Sequence, residues 1–103
     1  MDVQLKKGIL DVCVLYALSR GESYGYKIIS DLEGIIEISE STLYPILKRL
    51  EVGGFITART AEYSGRLRRY YKITPLGLSK LRSGREDLLE IQSIYKAIFG
   101  GRI

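Results

Sequence analysis

Apolar positions in the central stretch of the chain, residues 39–74, change from helical to alternating spacing. The first part carries apolar residues at the i, i+3, i+4 and i+7 positions that share one face of a helix. They are Leu43, Ile46, Leu47 and Leu50. Gly53–Gly54 then predicts the end of this helix, because glycine adopts the left-handed C-terminal conformation without a Cβ penalty. The segments Phe55–Tyr63 and Arg68–Thr74 are rich in aromatic and β-branched residues, and Ser64–Gly65 between them predicts a turn joining two strands.

Pro45 indicates where the central helix begins. A proline in a helix interior costs about 3 kcal/mol or more, whereas a proline in the first turn costs little. The helix is therefore predicted to begin near Ser41 or Thr42, with either hydroxyl as the N-cap, and Tyr44 then lies in the first turn. The face opposite the apolar residues consists of Ser41, Thr42, Pro45, Lys48 and Arg49.

The two faces of the second strand follow from its two-residue alternation. Tyr71 and Ile73 share one face, which predicts that Tyr71 belongs to the core. The other face carries Arg68, Tyr70 and Lys72, so Tyr70 is the tyrosine expected to be available for contacts.

The segment Val3–Ser19 predicts a first helix that is apolar almost all round after Gly8. A helix of this kind is buried on more than one side. We therefore expect it to pack on its own domain and also against a partner, with Leu10 and Val14 at the contact.

A second helix is predicted from Tyr24 to about Leu32, with Ser23 as its candidate N-cap. The short apolar segment 35–38 that follows fits either a loop or a single extended stretch.

A last helix is predicted to begin at Thr74–Pro75, with threonine as N-cap and proline at the first helical position. It runs toward Phe99, with a weak point at Ser83–Gly84. Beyond this point apolar residues follow the 3, 4, 3 spacing of a coiled-coil seam. They are Leu88, Ile91, Tyr95 and Ile98, with Leu89, Ile94 and Phe99 beside them. The seam packs either within the chain or on a partner helix; we favour a partner, because the domain is already complete without this helix.

These elements predict a mainly α fold with a small β-hairpin. The arrangement is a winged helix-turn-helix unit over residues 1–74, followed by a C-terminal dimerisation helix over residues 75–103 that packs as part of the same unit. A polar helix face beside a basic hairpin suits DNA binding, since one element enters the major groove and the other follows the backbone. The same pattern also fits a solvated amphipathic helix beside an ordinary exposed hairpin.

Composition places the positive charge on the hairpin. The length of 103 residues and the apolar fraction of 46% fit one globular domain. The 16 Lys+Arg against 12 Asp+Glu leave a net charge of +4, yet residues 55–74 alone carry five basic side chains against one acidic. This distribution favours a polyanionic partner at the hairpin. A chain of this size also gains stability when a second copy covers apolar surface.

Several kinds of chemistry are excluded by residue type. Without His and with one Cys, the chain cannot build a zinc site of the usual ligands or a nucleophile paired with His. Cys13 lies in an apolar run, where a free thiol behaves as a small hydrophobe. The adjacent acids Glu86–Asp87 point in different directions on a helix and form no acid/base pair. We predict no cofactor, no metal and no enzymatic activity.

The N-terminal segment superficially resembles a signal peptide, because Lys6–Lys7 precede the apolar run Ile9–Leu18. Asp11 interrupts this run, and no small-residue cleavage site follows it. The run is also too short to span a membrane. A cytoplasmic protein without a membrane partner is therefore predicted.

Four blocks of residues follow one another along most of the chain. They are Lys7-Gly8, Tyr24-Gly25-Tyr26-Lys27-Ile28, Thr42-Leu43-Tyr44-Pro45 continuing to Glu51, and Gly65-Arg66 continuing through Arg69-Tyr70-Tyr71 to Thr74 and Gly77. Together these blocks resemble the PadR family of bacterial transcriptional regulators. The TLYP block and the paired tyrosines after a basic wing are the most specific of them.

The resemblance implies a winged-helix repressor that dimerises through its C-terminal helix. It also implies binding to a pseudo-palindromic operator in double-stranded DNA and release by a small apolar ligand. The chain departs from the family pattern at three positions: Ser41 stands where glycine is frequent, Glu40 brings a negative charge to the start of the recognition helix, and Leu67 stands where proline is common. These departures bear on the operator sequence and on wing stiffness, and not on the fold.

The residues expected to contact DNA combine the polar helix face, the wing and the second-helix block. They are Tyr24, Lys27, Ser41, Thr42, Tyr44, Pro45, Lys48, Arg49, Arg66, Arg68, Arg69, Tyr70 and Lys72. The residues expected at the dimer interface are Leu10, Val14, Leu88, Ile91, Tyr95 and Ile98. Two other classes of function remain: a winged-helix module that binds proteins and not DNA, and a small enzyme, for which no nucleophile or phosphate-binding loop is present.

Overall fold

The computed structural model describes residues 1–100 as four helices and one β-hairpin. In chain order the elements are α1 Val3–Ser19, α2 Gly25–Leu32, α3 Glu40–Val52, β1 Ile56–Tyr63, β2 Arg66–Ile73 and α4 Pro75–Ile98. The predicted mainly α fold with a small hairpin is therefore confirmed. The predicted C-terminal segment includes residues 101–103, which lie outside the described residues. No helix within residues 1–100 is long and apolar enough to cross a membrane.

The core forms where α1, α2 and α3 meet the inner face of the hairpin. Its buried residues are Leu10, Val14, Leu15, Ala17, Leu18, Ile28, Leu32, Leu43, Ile46, Leu47, Leu50, Ile56 and Tyr71. The predicted apolar face of α3 and the predicted core position of Tyr71 are thus confirmed. Each fully buried large aliphatic side chain contributes about 1.5 to 3 kcal/mol relative to an exposed one.

Leu10 and Val14 belong to this core and not to the surface. They are 4% and 0% exposed within a single chain, so their side chains offer almost no area to a second chain. The helical pattern showed that α1 is apolar on several sides, but it did not distinguish the side that faces the core from the side that stays accessible. That accessible side includes Leu5 and Tyr16, which are 49% and 40% exposed.

The start of α3 lies earlier than Pro45 suggests. Ser39 is the N-cap, with its hydroxyl accepting the Thr42 N–H at 3.3 Å, and the helix begins at Glu40. Pro45 therefore lies in the second turn, where its missing N–H leaves the carbonyl of Ser41 without the usual donor. Because Ser41 is exposed, water can satisfy that carbonyl, and the proline is tolerated.

Two glycines end α3, as predicted. Gly54 has a φ of 82°, the left-handed conformation that follows many helix ends. The N–H groups of Gly54 and Phe55 bond back to the carbonyls of Glu51 and Leu50 at 3.0 and 2.9 Å. This closure turns the chain sharply into β1.

The hairpin has a two-residue turn and a regular antiparallel register from Ile56 opposite Ile73 to Tyr63 opposite Arg66. Ser64 and Gly65 both have positive φ, 51° and 79°, as the turn that fits the twist of two strands requires. β2 therefore begins at Arg66, two residues before the predicted start.

Ser23 does not cap α2, contrary to the prediction. It pairs with Tyr71 of β2 in an isolated antiparallel bridge, with N–H to carbonyl distances of 3.0 and 2.7 Å. Tyr24 takes the N-cap position without a side-chain hydrogen bond to the helix. The segment 35–38 that follows α2 contains no strand, so the predicted alternatives resolve to a loop.

Thr74 caps α4 as predicted, accepting the Gly77 N–H at 3.1 Å while its hydroxyl donates to the Gly54 carbonyl at 2.7 Å. The expected weak point at Ser83–Gly84 is absent, because α4 is continuous to Ile98. Gly84 is buried where α4 crosses α1, and a Cβ there would overlap the side chain of Val12. The glycine serves close helix packing and does not interrupt the helix.

Gly84→Ala is expected to destabilise the fold by about 1 to 3 kcal/mol, because the new methyl group must push α4 away from α1. Gly8→Ala in α1 is the matched control. A Cβ at Gly8 meets no atom within 4 Å, so the better helix propensity of alanine should add up to about 1 kcal/mol. Urea unfolding of both variants measures the difference, and a Gly84→Ala chain as stable as the original would contradict the close packing.

Candidate nucleic-acid interface

The side of α3 opposite the core is exposed. All six residues predicted to contact DNA from this helix are exposed, and we call them the recognition face: Ser41, Thr42, Tyr44, Pro45, Lys48 and Arg49. Small hydroxyls and two cations on one exposed helix face can donate to base edges and to phosphates in a major groove.

The two cations of the recognition face differ in their surroundings. Arg49 forms an ion pair with Asp11 of α1, whose side chain is only 15% exposed. This contact ties α3 to α1, so the Arg49 guanidinium is partly engaged inside the protein. Lys48 forms no ion pair with any residue in the described part of the chain. Lys48 is therefore the cation of this face that no carboxylate within residues 1–100 engages.

Tyr44 lies between the core and the solvent. Its side chain is 47% exposed, and its hydroxyl fills the space that a Cβ at Gly25 would need. The absence of a side chain at Gly25 thus lets the ring pack on the start of α2. One part of the ring is held by the protein, while the rest stays accessible beside the recognition face.

An open groove of about 710 Å³, which we call the wing groove, separates the start of α2 from the hairpin. It brings together five of the predicted DNA-contacting residues: Tyr24, Tyr44, Arg66, Arg68 and Arg69. The other predicted residues lie outside its lining: Lys27, Ser41, Thr42, Pro45, Lys48, Arg49, Tyr70 and Lys72. The groove also contains Tyr63, which the sequence analysis did not single out.

Ion pairs hold the hairpin against the helices. Arg69 pairs with Glu51 near the end of α3 at 3.0 Å, and Arg59 binds Glu22 through two nitrogens at 2.8 and 2.7 Å. The Arg59 guanidinium holds the pKa of the Glu22 carboxyl below its ordinary value. These arginines therefore link the wing to the end of α3 and to the segment before α2.

The remaining cations of the predicted interface divide into one that forms an ion pair and others that form none. Lys27 pairs with Asp31 one turn along α2 at 2.7 Å. Arg66 and Lys72 are exposed and form no ion pair within residues 1–100. The positive charge that the hairpin presents to the solvent therefore comes mainly from these two residues and from Arg68.

Arg68 is held by aromatic rings. Its guanidinium carbon lies 3.9 Å from the ring centroid of Tyr24 and 3.8 Å from that of Tyr63. Tyr70 packs edge-on against Tyr24, with centroids 5.9 Å apart. The sequence did contain a signal for the contact of Tyr63 with Arg68. A two-residue turn at Ser64–Gly65 places Tyr63 opposite Arg66, and therefore on the same face of the hairpin as Arg68.

A helical core, an exposed polar recognition helix and a basic antiparallel hairpin define the winged helix-turn-helix class of proteins. Within this class, the sequence identifies one family. Residues 14–83 match the sequence model of the Transcriptional regulator PadR-like family. The chain belongs to this family, which confirms the resemblance. The family consists of transcriptional regulators and not of enzymes, so the prediction of no enzymatic activity is also confirmed.

Two relatives match this chain over different shares of its length. A transcriptional regulator from Clostridium thermocellum superposes with a TM-score of 0.85 at 29% identity, over 93% of this chain and 98% of that chain. Transcriptional regulator Rv3488 of Mycobacterium tuberculosis is 35% identical over 65 residues, which are 63% of this chain and 58% of that protein.

A third relative was solved with a ligand. Bacillus subtilis PadR in complex with operator DNA superposes with a TM-score of 0.69 at 31% identity. The match covers 73% of this chain and 45% of that one, so it spans less than half of the Bacillus subtilis chain.

Proposed function

We propose that this regulator is a repressor that binds a pseudo-palindromic DNA operator as a homodimer. The observation that carries the proposal is the exposed recognition face beside a basic hairpin. The hairpin cations that form no ion pair within residues 1–100 can bind a polyanion, as the recognition face can. The relative solved with operator DNA supports this assignment. The alternative is a winged-helix module that binds a protein and not DNA.

The surroundings of each residue divide the proposed DNA contacts into contacts to base edges and contacts to phosphates. We propose that Ser41, Thr42 and Lys48 read base edges, since they extend from an exposed helix face. Arg66, Arg68 and Lys72 of the wing supply phosphate contacts, which fix register without reading sequence. Arg49 and Arg69 act chiefly as internal ties, because each is paired with a carboxylate of another element.

Selection of bound fragments from the source genome tests the proposal. Purified protein is mixed with sheared genomic DNA, bound fragments are recovered and sequenced, and the enriched segments are aligned. An inverted repeat with half-sites about 10 base pairs apart, centre to centre, is expected for a symmetric dimer of this class. Recovery of fragments that share no sequence would contradict a sequence-specific regulator.

Tyr44→Phe is expected to lose about 0.5 to 1.5 kcal/mol of operator affinity, the usual worth of one hydrogen bond. The reason is that the Tyr44 hydroxyl lies against Gly25 at the lining of the open wing groove, where it can still donate to a phosphate. The melting temperature should change little, because the ring that packs on Gly25 is retained.

Tyr16→Phe on α1, measured without any effector, is the control, since it removes the same atom from an exposed tyrosine outside the recognition face and the wing groove. Anisotropy titration and thermal unfolding are measured for both variants. Full operator affinity in Tyr44→Phe would assign this tyrosine a packing role only.

The dimer is proposed to form along α4. Its seam is exposed in the single chain: Leu88, Ile91, Tyr95 and Ile98 are 38, 44, 61 and 64% exposed. Exposure increases along the helix: residues of α1 share a groove with Leu88 and Ile91, whereas Tyr95 and Ile98 lie beyond the lining of that groove. A partner helix would bury these residues and hold two recognition faces at a fixed spacing. The division of the chain into a DNA-binding unit, residues 1–74, and this helix is part of the proposal.

An apolar groove of about 680 Å³ between α1 and α4 is the proposed site for a small apolar effector. Val12, Cys13 and Tyr16 of α1 form one wall, and Leu81 and Leu88 of α4 form the other. Burial raises the pKa of the Cys13 thiol, as expected beside apolar neighbours. Duplex release in the presence of a library of small apolar compounds tests this part of the proposal. We also propose a cytoplasmic location, because a bacterial regulator acts where the chromosome lies.

A further inference from the structure

Three side chains from three elements form a layered contact, which we call the arginine stack: Tyr24, Arg68 and Tyr63. The guanidinium carbon of Arg68 lies over both rings, 3.9 Å from the centroid of Tyr24 and 3.8 Å from that of Tyr63. No carboxylate of residues 1–100 lies within ion-pair distance of Arg68. The charge is thus held by aromatic faces alone.

The two rings come from different parts of the fold. Tyr63 ends β1, and the turn at Ser64–Gly65 returns the chain so that Tyr63 and Arg68 share one face of the hairpin. Tyr24 comes from the N-cap of α2, which the backbone bridge between Ser23 and Tyr71 fastens to β2. The stack therefore connects the tip of the wing to the start of α2.

Stacking leaves the donors of the guanidinium free. The group is planar, its faces are weakly hydrated, and all of its N–H bonds lie in its plane. Rings that stack on a guanidinium leave the edge of its plane open for a hydrogen-bonded oxygen. Arg68 is half-buried and lines the wing groove together with Tyr44 of the recognition face.

We propose that Tyr24 and Tyr63 are positioning residues that hold Arg68 ready for a phosphate of the DNA backbone and fix the wing relative to α2. This inference rests on the proposed function. A free arginine side chain must give up its rotamer freedom when it binds a phosphate, whereas a stacked one has lost most of it in the unbound protein. Arg66, which is exposed and stacks on no aromatic ring within residues 1–100, still bears this cost.

The test measures binding to a mixed-sequence duplex about two helical turns long, because phosphate contacts do not depend on sequence. Anisotropy titrations over a KCl series give both the affinity and its salt slope, the change of log K with log salt. Tyr63→Leu should weaken binding roughly three- to tenfold while keeping the original slope, since it removes a ring and no charge. Arg68→Ala should weaken binding and also reduce the slope by about one, the share of one phosphate contact.

Two conservative variants separate the ring from the rest of each side chain. Tyr63→Phe retains the stacked ring and should bind within about twofold of the original chain. Arg68→Lys retains the charge but not the flat group, so it should keep the slope and still lose affinity. Tyr63 is 53% exposed, and its replacement by leucine is therefore compatible with folding.

The stack has a signature in the unbound protein as well. Ring currents from two tyrosines should shift the side-chain N–H resonance of Arg68, and Tyr63→Leu should remove part of that shift. A Tyr63→Leu chain that binds the duplex as tightly as the original, or one that lowers the salt slope as Arg68→Ala does, would overturn the positioning role. An original chain that binds no duplex at any salt concentration would instead overturn the proposed function, and with it the role of the stack in DNA binding.

Discussion

Replacing Ile91 with lysine is expected to produce monomers and to lower operator affinity about a hundredfold or more. Ile91 lies within the proposed α4 seam and is 44% exposed in the single chain, so a partner helix would bury it. A lysine there would place a charge in an apolar interface, which is costly without a counterion. In a dimer, binding of one half-site holds the second recognition face at a high effective concentration near the other half-site. A monomer loses this gain in affinity.

Ser93→Lys is the matched control for this variant. Ser93 lies two residues along the same helix, and helical periodicity places it on the side of α4 away from the seam. The Ser93→Lys substitution adds the same charge. The molecular mass measured by light scattering should remain that of a dimer. A dimeric mass for Ile91→Lys, at the protein concentration where Ser93→Lys is dimeric, would exclude the seam as the interface.

Lys48→Glu is expected to lower operator affinity roughly tenfold to a hundredfold without loss of folding. Lys48 is exposed on the recognition face and has no carboxylate partner within residues 1–100. A carboxylate at this position removes a favourable contact and adds repulsion from the phosphates. Because no internal pair is broken, the free energy of unfolding should change by less than about 0.5 kcal/mol.

Lys96→Glu makes the same charge reversal near the end of α4, away from the recognition face. It controls for the change in net charge, which alone weakens binding of any protein to DNA. Anisotropy titrations with one operator duplex compare the two variants at a fixed salt concentration. Equal losses for both would mean that Lys48 contributes only through overall charge and makes no contact.

The fold could be predicted because its signals are local. The helical spacing of apolar residues in α3, the Ser64–Gly65 turn and the Thr74 cap each depend on a few neighbouring residues. Errors arose where tertiary contacts decided the outcome. Ser23 has the composition of a cap but pairs with Tyr71, and Gly84 resembles a helix break but serves the contact with Val12.

The site was harder to predict than the fold, because it depends on partners far apart in sequence. Arg49 was expected on the recognition face, and it is exposed there, yet its pair with Asp11 joins residues 38 apart. Arg59 and Glu22, which fix the wing, are separated by 37 residues. Periodicity assigns a side chain to a face, but it does not show which opposite charge the folded chain brings to that face.

The most direct measurement of DNA recognition is an anisotropy titration of the full chain with two duplexes of equal length over a series of KCl concentrations. One duplex carries the inverted repeat recovered from the genome, and the other carries the same bases in scrambled order. A sequence-specific regulator should bind the repeat as two chains per duplex, about a thousandfold or more tighter than the scrambled sequence. Its affinity should fall steeply with salt, by about 0.9 in log K per phosphate contact for each unit of log salt. Equal, weak and salt-independent binding to both duplexes would contradict DNA recognition and favour a module that binds proteins.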